Sequence, residues 1–134
     1  MGLNHLASQR LQLAAYGMHN MREILGITNY PKQKRAVVLE DGTQFEFEMD
    51  FSSLQFGWFI RNFTYGDFEL NGLRITNQPN MLFQFKNQLP FGLACSSKED
   101  REPSLIDDFS SGNSRLYVLS ESEVQDYEDF LNGL

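Results

Sequence analysis

Five apolar side chains near the start of the chain, Leu11, Ala14, Met18, Met21 and Leu25, recur at spacings of three and four. That period predicts a helix over about Leu3 to Leu25, with a narrow apolar seam of the kind that lies in a groove or pairs with another helix. Gly17 weakens the helix, Gly26 is a reasonable C-terminal stop, and Pro31 follows five residues later. The seam can pack on its own domain or on another chain.

From Arg35 the period changes to two. Ala36 to Glu40 leads into Asp41-Gly42, a strong short hairpin signal, and then into Thr43 to Phe51. Phe45, Phe47, Met49 and Phe51 alternate there with Gln44, Glu46, Glu48 and Asp50. One face of this strand is apolar. The other is acidic and must meet water or a basic partner. A third strand is predicted over Gly57–Thr64, followed by a turn at Tyr65-Gly66-Asp67. Phe68 and Leu70 then lead to Asn71-Gly72, a second hairpin-type signal, and Leu73 to Thr76 alternates again. Met81 to Phe85 suits a short strand or a turn of helix equally. Pro90 to Ser97 and Arg115 to Leu119 read as strands, separated by a polar loop over residues 98–112. Ser120 with Glu123 three residues on fits a capping box, so a short acidic C-terminal helix is expected.

The expected fold is therefore mainly β: a small antiparallel barrel or sandwich of about six or seven short strands, with an N-terminal α-helix and a short C-terminal helix. Residues 1–30 would form a helical arm and residues 31–134 a β-rich domain. No βαβ pattern is present.

Composition narrows the function. The 134 residues are 41% hydrophobic and 22% charged, a globular mixture that can bury a core without metal or disulfide. Cys95 is the single cysteine, which excludes an intramolecular disulfide. With only His5 and His19 beside it, a cysteine-based zinc site fails as well. No apolar run approaches the ~20 residues of a membrane span, and Met1 to Arg10 has no apolar core of a secretory signal, so synthesis and folding in a cytosol, without membrane insertion, are expected. The net charge of −7 disfavours nucleic-acid binding. It is unevenly spread: residues 1–35 carry five basic and one acidic residue, and residues 36–134 carry six basic and 17 acidic. A basic arm on an acidic body suits self-association, arm of one copy on body of the next.

Catalytic patterns are weak. Cys95 sits in an apolar strand with no base nearby in sequence, and free cysteines of this kind are usually buried. No nucleophile elbow, P-loop, dinucleotide fingerprint or EF-hand order is present. No catalytic residue, cofactor or metal is expected. The aromatic group Phe56, Trp58, Phe59, Phe63, Tyr65 and Phe68 suits a core, a protein interface, or a platform for a sugar or peptide.

Taken together, Val38 to Gly42 with the alternating Phe45 to Phe51, Gly57-Trp58-Phe59-Ile60, Asp67 with Gly72-Leu73-Arg74-Ile75, Asn80-Met81-Leu82 with Phe85, Pro90-Phe91-Gly92-Leu93, and Asp107-Asp108-Phe109 with Arg115 to Leu119 and Glu121 make the chain resemble the baseplate plug family of contractile-tailed bacteriophages, including cyanophage examples. The resemblance covers about residues 33–123 and lies in the order and spacing of the pieces. Residues 1–30 are an extension, and Leu54-Gln55-Phe56 stands where the family often carries asparagine. The resemblance implies a non-enzymatic structural protein of the virion, made in the host cytoplasm. It would sit near the tail axis at the baseplate, contact hub, tube or wedge proteins, and self-associate around that axis. The assembly surfaces expected are the helix, through Leu11, Met18, Met21 and Leu25, and the aromatic strand, through Trp58, Phe59 and Phe63. The alternative is a small β-domain that binds a peptide or carbohydrate on an aromatic surface.

Overall fold

The computed structural model describes residues 21–133. Among these residues the strands are β1 (Arg22–Glu23), β2 (Lys32–Val38), β3 (Gln44–Ser52), β4 (Gly57–Tyr65), β5 (Phe68–Leu70), β6 (Leu73–Arg74), β7 (Gly92–Ser97) and β8 (Ser114–Leu119), with a short 3-10 turn at Phe83–Phe85 and a helix, α1 (Glu121–Asn132). They form two antiparallel sheets. One has the order β1-β8-β7; the other runs β2-β3-β4-β5, with β6 also paired to β4. The barrel expectation gives way here: two open sheets share one core, and among the described residues no hydrogen-bonded ladder closes between them.

The N-terminal helix is corrected where it can be seen. Arg22 pairs with Val118 and Glu23 with Tyr117, and Ile24 N–H donates to Leu116 C=O at 2.9 Å. The predicted last helical turn is instead the edge strand of the smaller sheet, because β8 offers it a ladder and Arg115 binds Glu23 at 2.9 Å. Pairing with a neighbour overrides a weak local preference. The rest of that helix, with Leu11 and Met18, lies outside the described residues.

The Asp41-Gly42 hairpin is present, with β2 and β3 in register from Lys32↔Asp50 to Val38↔Gln44. Gly42 adopts φ +88°, and Asp41 accepts from the Thr43 N–H and hydroxyl, which holds its carboxyl below the usual range. Asn71-Gly72 behaves differently from the expected hairpin. β5 and β6 both run antiparallel to β4, so this pair interrupts a single edge rather than reversing it. The cause lies on β4. Glu46 pairs with Thr64 but Glu48 with Arg61, an extra residue accommodated by Asn62 at φ +50°. Asn71 Oδ1 accepts from the Asn62 N–H at 3.1 Å and ties the two irregularities together. The tight turn of this ribbon is Gly66-Asp67, as expected.

Phenylalanine fills the space between the sheets. Phe45 stacks on Phe91 at 4.5 Å and lies 5.4 Å from Phe63; Trp58 packs on Phe51 and meets Phe109 edge-on. Met21, Ala94, Tyr117, Leu119 and Val124 form a second cluster between the smaller sheet and α1. The capping box is fully formed: Ser120 accepts from the Glu123 N–H, and the Glu123 carboxylate accepts from the Ser120 N–H.

The polar loop is ordered around Asp108, which is only 2% exposed. Its oxygens accept from both Arg101 guanidinium nitrogens at 2.8 and 2.9 Å, from the Ser104 and Leu105 N–H groups at 2.8 Å, and from Asn113 at 3.0 Å. Those donors outweigh burial and hold its carboxyl far below the ordinary value. The ordered loop then aims the Leu105 carbonyl at Trp58, whose Nε1–H donates to it at 3.1 Å. A depressed pKa contributes stability above the unfolded value near 4 that is lost as pH falls through the folded value. Asp108→Asn should therefore cost about 2 kcal/mol or more at neutral pH, measured by urea unfolding. The gap between variant and wild type should narrow steadily below pH ~4. An unchanged gap at low pH would show that the charge is not the stabilising feature.

Candidate functional site

The alternation of β3 and β4 decides which aromatic side chains can be functional. Trp58 and Phe63 lie on the inner face and are fully buried. They are core, so neither is available to a partner or a sugar ring. Met21 is buried too, against its own domain, and Leu25 beside it is 76% exposed. Phe59 faces outward and is half-buried, with the guanidinium groups of Arg61 and Arg74 at 5.4 and 5.5 Å from its ring centroid.

The acidic stripe of β3 lies on the same outer face. The register sets Lys34 on one side of Glu48 and Arg61 on the other. Lys32 reaches Glu48 at 3.8 Å and Arg61 reaches Asp50 at 3.5 Å. The basic partner demanded by that stripe thus comes largely from the neighbouring strands of the same sheet. Glu48 and Asp50 still crowd each other, and burial together with the Glu48 charge pushes the Asp50 carboxyl up.

The feature that sequence reasoning missed is the four-residue loop 53–56 between β3 and β4. Leu54 is 91% exposed and Phe56 is 66% exposed, at the end of the ribbon whose base is the half-buried Phe51 paired with the buried Trp58. Phe56 sits at φ +49°, a left-handed backbone that a bulky side chain adopts only under constraint. The constraint is visible. Arg74, carried on β6 beside β4, donates from Nη2 to the carbonyls of Gln55 and Phe56 at 3.2 and 3.0 Å. Gly57 makes room for it, since a Cβ there would lie 2.5 Å from Arg74 Nη2. Gln55 N–H donates to Ser52 Oγ at 3.2 Å at the other side of the loop. The signal in the sequence is the Leu-Gln-Phe triplet itself: two large apolar residues in a connection where Gly, Asn and Asp are the usual occupants.

Groups with chemical potential elsewhere are engaged structurally. Cys95 is buried, its thiol pushed up by burial, and its Sγ approaches Asn77 Oδ1 at 3.5 Å. His5 and His19 lie outside the described residues. Among the described residues no three His, Cys, Asp or Glu side chains converge as a metal ion requires, and no helix is long and apolar enough to cross a membrane.

No family model matches the chain, and no curated protein matches it.

The strain at Phe56 gives a direct check. Glycine accepts a left-handed backbone without penalty, whereas an L side chain costs about 1–2 kcal/mol there. Phe56→Gly should leave stability unchanged or raise it by about 1 kcal/mol in thermal unfolding. A loss of more than that would mean the Phe56 ring supports the fold.

Proposed function

We propose that the chain is a structural component of a contractile phage tail baseplate. It would be a plug or hub-associated protein near the tail axis that acts by protein–protein assembly. Two things support the reading: the order and spacing of motifs by which the chain resembles the plug family, and the Leu54–Phe56 tip. The tip carries the assembly role because its exposure and strain contribute nothing to the core. Large apolar side chains held outward at backbone cost are what a buried interface anchor requires. The tip takes over the role first given to Trp58 and Phe63, while Phe59 remains at its margin with the two arginines. Hub, tube or wedge proteins are the neighbours proposed for it, and the virion is its proposed location.

The experiment is immunogold labelling of purified tails, from phage carrying the wild-type gene and from phage carrying Leu54→Ala with Phe56→Gly. Wild-type label should sit at the baseplate end in fixed stoichiometry, and the double variant should fold yet be lost from tails. Wild-type protein found only free in the lysate would contradict the assignment. Normal incorporation of the double variant would remove the tip from it.

A further inference from the structure

We infer that the tip is one part of a larger interface built from three segments, and that its occupant is a different protein, presenting an apolar recess edged by carboxylates. The inference rests on the assembly reading above and names the chemistry of the neighbour.

A single row of contacts gathers the three segments. The Phe51 N–H donates to the Pro31 carbonyl at 2.7 Å, Phe51 is paired across the ladder with Trp58, and Trp58 Nε1–H donates to the Leu105 carbonyl at 3.1 Å. Each segment placed in this way displays large apolar side chains. Tyr30, beside Pro31, is 69% exposed; Leu54 and Phe56 lie between Phe51 and Trp58; Leu105 is 52% exposed, with the exposed Ile106 next to it. Five of the eight large apolar side chains exposed among the described residues therefore belong to one row. Exposed apolar residues scattered singly are ordinary, whereas a group gathered from three loops marks an interaction surface. Tyr30 and Leu105 are tied in through their backbones. The Tyr30 N–H donates to Thr28 Oγ1 and its carbonyl accepts from Gln33 Nε2, while the Leu105 N–H donates to Asp108. Those bonds leave the two side chains to solvent.

Charge selects the occupant. Arg74, which clamps the tip, has no carboxylate partner among the described residues; its contacts are the two loop carbonyls and the Phe59 ring. Lys32, next to Pro31, has a side chain 72% exposed and approaches Glu48 only at 3.8 Å. The carboxylates of the loop that carries Leu105 are engaged within the fold: Asp108 by Arg101, and Glu102 by the Asn77 N–H, while the charge of Asp107 also falls on Arg101. Apolar tips with a basic collar are matched by an apolar recess with Asp or Glu at its edge. Two copies meeting through this face would set cation against cation, so the occupant is another chain of the assembly.

Photocrosslinking in purified tails tests this with the full-length protein. p-Benzoylphenylalanine replaces Tyr30, Leu54 or Ile106, and in a control replaces Val38, an exposed residue at the far end of β2. The three face positions should all link to one tail protein, in segments that carry Asp or Glu, and the control should not link to it. Lys32→Glu leaves the Arg74 clamp in place and should lower the crosslink yield about tenfold, whereas Lys32→Arg should keep it. Tyr30→Ser with Leu105→Ser and Ile106→Ser retains every backbone bond of the row. That variant should fold, with Trp58 emission unchanged, yet be lost from tails.

Crosslinks to a second copy of this chain, to different proteins from the three segments, or to segments without carboxylates would overturn the inference. So would normal incorporation of the triple serine variant, which would leave the tip as the anchor by itself. Absence of the wild-type protein from tails would defeat the assembly reading, and the inference with it.

Discussion

The space between two small open sheets has to be filled by rigid apolar volume, and in this chain aromatic rings supply it. Neither sheet could be stable alone; each exposes an apolar face that only the other can cover. Phe45, Phe63 and Phe91 interleave from three strands or their ends, and Trp58 closes the far side against Phe51 and Phe109. A truncation such as Phe45→Ala would leave a cavity costing about 3–5 kcal/mol, a large share of a small domain's stability. Trp58 adds direction to this packing. Its single polar atom needs a partner when buried, and the Leu105 carbonyl that serves it is positioned by the Asp108 knot. The core and the polar loop therefore depend on each other.

That dependence explains what the primary structure made legible. The period-two runs became β2, β3, β4, β7 and β8, and the Ser120/Glu123 pair became a complete capping box. In these places local pattern and tertiary packing agree. They part where a long-range partner intervenes. Arg22–Glu23 carries a helical period but is held in a strand by β8 and by Arg115, 92 residues away. Asn71-Gly72 has the chemistry of a hairpin turn, yet the extra residue at Asn62 on the paired strand turns it into a bulge. No local window contains either cause.

The candidate surface was harder to read for a related reason. An aromatic strand looks the same whether its rings point in or out until the sheet that covers it is placed. Trp58 and Phe63 turned inward, Phe59 outward. The tip was readable only as an oddity, Leu54-Gln55-Phe56 in a turn. The clamp on its backbone is a single arginine from β6 aligned across β4, a contact set by register and not by sequence proximity. Core and surface are thereby linked. The Phe51–Trp58 pair ends the ribbon inside the core, and the residues just beyond it are presented on the outside.

Trp58 is the single tryptophan of the chain, so its fluorescence reports on that central pair alone. The emission maximum and its quenching by acrylamide, in the folded protein and in denaturant, test the account most directly. A buried indole with its N–H bonded to Leu105 predicts a blue-shifted maximum and strong protection from quencher, both lost together on unfolding. A red-shifted maximum with free access to quencher in the folded protein would contradict it, and would return the aromatic strand to the surface as a ligand platform.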